Sequence, residues 1–144
     1  QHMDDPMKAV SEMRRVVREN GIVAISEPDW DTLLIDLDNK NLVRKLIHFI
    51  TDNIVRHGWI GRQLPRIFKE VGLRNISVSA DSLLINDLSL AEKIYGFKRH
   101  SLTGLQQNFF TQQEIDELFR KLDEAERKGH FFCSAQGFMV TGIK

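Results

Sequence analysis

The spacing of apolar residues divides the chain into alternating helical and extended stretches. Asp4 and Asp5 ahead of Pro6 have the order of a helix start, and Val10, Met13, Val16 and Val17 then recur at helical spacing, predicting a helix to about Glu19. Asn20-Gly21 supplies its left-handed stop. The run Ile22-Val23-Ala24-Ile25 is apolar on both faces, the pattern of an inner strand in a parallel sheet with both faces covered. Ser26 to Thr32 is polar and broken by Pro28, so the expectation is a loop leaving the carboxyl end of that strand.

From Asp38, the positions Leu42, Val43, Leu46, Ile47, Ile50, Ile54 and Val55 keep one stripe apolar until His57-Gly58, predicting a second helix. A shorter helix carries Leu64, Ile67, Phe68 and Val71, with Pro65 in its first turn and Gly72 as its stop. Ile76, Val78 and Ala80 alternate with Asn75, Ser77 and Ser79 as in a strand, which Leu83 to Ile85 either extend or leave as loop; a helix near Ser89 to Tyr95 follows. Thr111-Gln112-Gln113-Glu114 is a capping box, and Ile115, Leu118, Phe119, Leu122 and Ala125 form the apolar stripe behind it. Phe131 to Ala135 and Phe138 to Ile143 flank Gln136-Gly137, which predicts a hairpin or a terminal strand preceded by loop. With no repeat, low-complexity tract or linker, residues 4–144 read as a single domain, and Gln1-His2-Met3 as an expression remnant.

Composition narrows the function classes. Twenty Lys+Arg offset twenty Asp+Glu, so no whole-molecule field draws the chain to nucleic acid or to an anionic membrane. The basic clusters around Arg14-Arg15 and Lys98-Arg99 are matched by acidic residues and read as solvated faces. One cysteine, Cys133, excludes an internal disulfide and any multi-cysteine metal site. Apolar runs of about five residues fall far short of the roughly twenty needed to span a bilayer, and a cytoplasmic protein is expected.

The order of elements carries a resemblance. Asp5-Pro6 with Glu12-Met13-Arg14-Arg15-Val16-Val17-Arg18-Glu19-Asn20-Gly21, then Glu27-Pro28-Asp29-Trp30-Asp31-Thr32-Leu33, resemble the helix, turn and post-strand segment around the fifth strand of class I S-adenosylmethionine-dependent methyltransferases, particularly the small-molecule group related to quinone biosynthesis. Arg62-Gln63-Leu64-Pro65 with Phe68-Lys69-Glu70-Val71-Gly72-Leu73 resembles the helix leading to the family's sixth strand, and Phe138 to Lys144 its terminal strand. No G-x-G turn exists here to cradle the donor. The resemblance therefore implies an α/β fold, a partial Rossmann-like methyltransferase sheet with the first four strands absent: the carboxyl-terminal, acceptor-side half of an enzyme acting on a small organic molecule, inactive alone. S-adenosylmethionine would be the cofactor of the complete family enzyme, and none is expected to bind this chain by itself.

Acceptor-side residues in an open α/β sheet belong at the carboxyl ends of strands. Glu27, Asp29, Trp30 and Asp31 lie there, with Glu27 or Asp29 as base or acceptor contact and Trp30 as a stacking wall; Arg62 would meet an anionic group. The plain alternative is a loop with capping carboxylates and a packed Trp. His57 reads as a solvent-facing helix-end histidine, and His100, His130 and Cys133 have no zinc-ligand spacing. One edge of Ile22–Ile25 should stay unpaired, so a homodimer or strand-exchanged dimer through that edge is expected. A non-catalytic interaction or dimerisation module is the alternative function.

Overall fold

The structure is a computed structural model that describes residues 1–144. Helix α1, Pro6–Val16, starts as its sequence dictates, Asp5 accepting the Lys8 N–H at 3.0 Å. It stops three residues short of Glu19, and Asn20, not Gly21, takes the left-handed conformation at φ 60°. Strand β1, Ile22–Ile35, is far longer than the four-residue apolar run. The expected loop from Ser26 to Thr32 is thus corrected: Glu27, Pro28 and Asp29 pair in register with Phe138, Gly137 and Gln136, and the ladder breaks into a bulge only between Asp29 and Leu34. Backbone pairing with a partner strand outweighs polar composition here.

Helix α2, Lys40–Phe49, runs into a π-helical turn over Ile50–Ile54. Helix α3, Ile60–Glu70, holds Pro65 in its middle, not in its first turn, and Gly72 ends it at φ 81°. Strand β2, Arg74–Ile85, absorbs Leu83 to Ile85, and α4, Leu88–Tyr95, α5, Phe97–Gln106, and α6, Gln112–Arg127, follow. The predicted capping box opens α6, with both reciprocal bonds present. Strand β3, Cys133–Ile143, passes straight through Gln136-Gly137, so the hairpin alternative is overturned.

The fold is α/β, with a three-stranded sheet in the order β1-β3-β2. Strand β3 is antiparallel to both neighbours, so β1 and β2 run parallel to each other without touching. The expectation of an inner strand in a parallel sheet is corrected accordingly: β1 is an edge strand, and every ladder in the chain is antiparallel. The expected open flank is present, since β1 pairs through one side only.

Side chains alternate across a strand, and the two cores use that alternation on opposite faces. Val23 and Val140 point to one face, where α1 and α3 cover them with Val10, Ile60, Leu64, Ile67 and Phe68. Cys133 and Ala135 point to the other, joined by Ile35, Ile85 and a larger cluster from α2, α4, α5 and α6. Each face is thereby covered at one end and bare at the other. Ile22 is 65% exposed and Met139 42% on the face opposite α3. Burial also pushes the Cys133 thiol up to about 11, so it stays protonated and is no nucleophile at neutral pH. No helix is long and apolar enough to cross a membrane.

Candidate functional site

The bulge in β1 gathers the site. Asp29 is completely buried, a position an ionised carboxylate tolerates only with close partners. Arg62, on the first turn of α3, supplies them: Nη2 donates to Asp29 Oδ1 at 2.6 Å and Nε donates to Oδ2, a bidentate fork. The same guanidinium lies 4.7 Å from the Trp59 ring centroid and 3.4 Å from Asp31 Oδ2. The hydrogen bond to Asp29 holds the Arg62 guanidinium above its ordinary value despite the opposing pull of partial burial. Thr32 Oγ1 donates to the Asp29 carbonyl at 2.6 Å and accepts the Gln136 N–H at 2.8 Å, which closes the bulge onto β3. Helix α3 can approach this closely because Gly61 has no side chain; a Cβ there would stand 3.0 Å from the Pro28 carbonyl oxygen and 3.1 Å from that of Glu27.

Asp29 and Arg62 therefore satisfy each other. Both lie where the site was expected, but as a knot fixing α3 to β1: Asp29 also accepts the Asp31 N–H at 3.2 Å, and the Nε–Nη2 edge of the guanidinium is spent on the carboxylate. Asp31 sits beside the knot, partly exposed, with His48 Nε2 3.9 Å from its Oδ1.

Glu27 and Trp30 face a different space. An open cavity of about 530 Å³ lies over the middle of the sheet, floored by Ser26 and Pro28 of β1, Ala135 and Gly137 of β3, and Asp81 and Leu83 of β2. Glu27, Trp30, Ile94 and Tyr95 complete its rim. Trp30 and Tyr95 meet edge to face, centroids 5.8 Å apart, and burial pushes the Tyr95 phenol up to about 12, so it remains a neutral hydroxyl. At the rim, the terminal ammonium of Gln1 is 2.7 Å from Glu27 Oε1, and the Trp30 indole N–H donates to the Gln1 side-chain oxygen at 2.5 Å.

The five expected residues lie around the bulge of β1: Asp29 and Arg62 hold each other, Asp31 sits partly exposed beside them, and Glu27 and Trp30 border the cavity. Tyr95, Asp81 and Gly137 went unnoticed in the sequence because they come from three distant elements. His57 is half-buried, its Nε2 2.9 Å from the Met3 carbonyl oxygen. No three of the His, Cys, Asp and Glu side chains come together as a metal-ligand set.

No known family model matches this chain. The chain is 38% identical over 145 residues, 98% of its length, to an uncharacterized 37.1 kDa protein in transposon TN4556 of Streptomyces fradiae, and it spans about two fifths of that protein's length.

Proposed function

We propose that this chain is the carboxyl-terminal, acceptor-side part of an S-adenosylmethionine-dependent methyltransferase acting on a small organic molecule. The observation that carries the reading is the strand order: a reversed last strand inserted between two strands parallel to each other. The sheet of the resembled methyltransferases ends in the same way, with its terminal strand between the fifth and sixth. The bare outer edge of β1 is then the seat of the missing fourth strand, and the Glu27–Trp30 cavity faces the acceptor. Methyl transfer asks for alignment of acceptor, methyl and sulfur, so an acceptor pocket without a donor pocket does not turn over. The decisive test joins the chain to the polypeptide encoded immediately upstream. The longer protein is expected to bind S-adenosylmethionine in a calorimetric titration and this chain alone is not. Specific donor binding by the isolated chain, or an upstream frame lacking a strand, glycine turn and helix, overturns the reading.

The same edge favours a dimer when the other half is absent. Ile22 is exposed and the outer backbone groups of Ile22–Ile25 have no strand beside them, so a second copy can pair there or exchange α1 and β1. Light scattering is expected to give twice the 16.7 kDa chain mass. A monomer at every concentration would remove this edge as a self-association surface.

A further inference from the structure

We propose that Asn20 is a site of spontaneous modification, its side-chain amide giving up ammonia to leave aspartate or isoaspartate ahead of β1. The step needs only the chain and water. The backbone nitrogen of Gly21 attacks Cγ of Asn20, the bond from Cγ to the side-chain nitrogen breaks, and that nitrogen leaves as ammonia with the Gly21 proton. Water then opens the cyclic imide. Attack at the side-chain carbonyl gives aspartate, and attack at the main-chain carbonyl gives isoaspartate, whose backbone runs on through Cβ and Cγ.

The fold itself demands the labile pair. The turn from α1 into β1 holds residue 20 at φ 60°, a conformation asparagine adopts more readily than most residues with a side chain. The next residue has to be glycine, because a Cβ at position 21 would stand 2.6 Å from Val17 Cγ2 and 2.8 Å from the Arg18 carbonyl oxygen. Without a side chain there, the attacking nitrogen has no shield. Asn75 and Asn108 are also exposed and left-handed, at φ 50° and 58°, but Ile76 and Phe109 follow them. One bond opposes the attack, the Gly21 N–H donating to the Arg18 carbonyl oxygen at 2.9 Å. Helix α1 has ended at Val16, and Arg18, Glu19 and Asn20 are all exposed, so that bond opens by local fraying while both cores stay intact. The consequence falls on the sheet. The Gly21 carbonyl oxygen accepts the Lys144 N–H at 3.1 Å, next to the Ile22–Ile143 pair, and the extra backbone carbon of isoaspartate shifts this carbonyl out of step with β3.

The experiment stores the chain in mildly alkaline buffer beside a synthetic peptide of residues 16–25 and follows both by peptide-resolved mass spectrometry. Both are expected to convert at Asn20, the peptide first, while Asn75 and Asn108 stay intact. Asn20→Gly, which keeps the left-handed turn, should release no ammonia from this site. If Asn20 in the chain is still intact once the peptide is spent, the proposal is overturned. Equal conversion at Asn75 or Asn108 overturns it as well, since the fold would then not have selected the site. The isoaspartate form, separated by chromatography, is expected to lose hydrogen-exchange protection at the Lys144 amide, and unchanged protection there would defeat the altered pairing.

Discussion

Replacing Arg62 by methionine is expected to destabilise the fold by about 3 kcal/mol, because it strands a buried carboxylate without its partner. Asp29 has no solvent exposure, whereas the Arg62 side chain is 39% exposed. The two halves of the pair are therefore unequal. Asp29→Asn removes the charge that must be compensated and leaves a side chain able to accept from the guanidinium, which reaches water on its own; its cost should be about half as large. Urea denaturation of the two variants checks the order. If Asp29→Asn costs more than Arg62→Met, the knot is held by the carboxylate's other bonds and not by the fork. The consequence reaches the cavity, because the knot fixes the bulge between Glu27 and Trp30 on one side and the Leu33–Ile35 end of β1 on the other.

Phe68→Ala is the second large effect, at about 3 to 5 kcal/mol. Phe68 is fully buried where α3 lies on the sheet, and a Cβ on Gly142 would stand only 3.0 Å from its ring, so the backbone of β3 is already pressed against it. The cluster it belongs to has eight buried residues, against twenty on the other face. Loss of one large ring from the smaller cluster should loosen α1 and α3 first. Hydrogen exchange is expected to show their amides losing protection while those of α6 keep it. Uniform loss across both clusters would show that the two faces of the sheet unfold as one unit.

Which parts were legible in the sequence follows from how local their causes are. The α6 capping box and the Asp5-Pro6 start of α1 are written within four residues, and both form as read. β1 was read too short because the partner that makes Ser26 to Asp29 extended, β3, is more than a hundred residues away. Helix α5 gave no signal: its buried positions are Phe97, Ser101 and Gly104, at helical spacing, but two of the three are too small or polar to register as a stripe. Gly104 is needed there because a Cβ would stand 2.5 Å from the Phe110 ring. The rule that ligands gather at strand ends chose Glu27, Asp29, Trp30 and Asp31, but β1 runs on to Ile35 and these residues lie inside it, with Arg62 beside them. Their roles were not legible, since nothing in the spacing of Asp29 and Arg62 shows that each is the other's partner.

Proline 28 has a further effect. Trp30 sends its N–H away from β3, to the Gly58 carbonyl oxygen at 2.9 Å, and Pro28, two residues back and of the same parity, has no hydrogen to send. Any strand laid beside β1 can therefore run along residues 22–27 and must then peel off. Six residues suffice to dock one neighbour, but they deny fibrillar growth the long, flat template on which it depends.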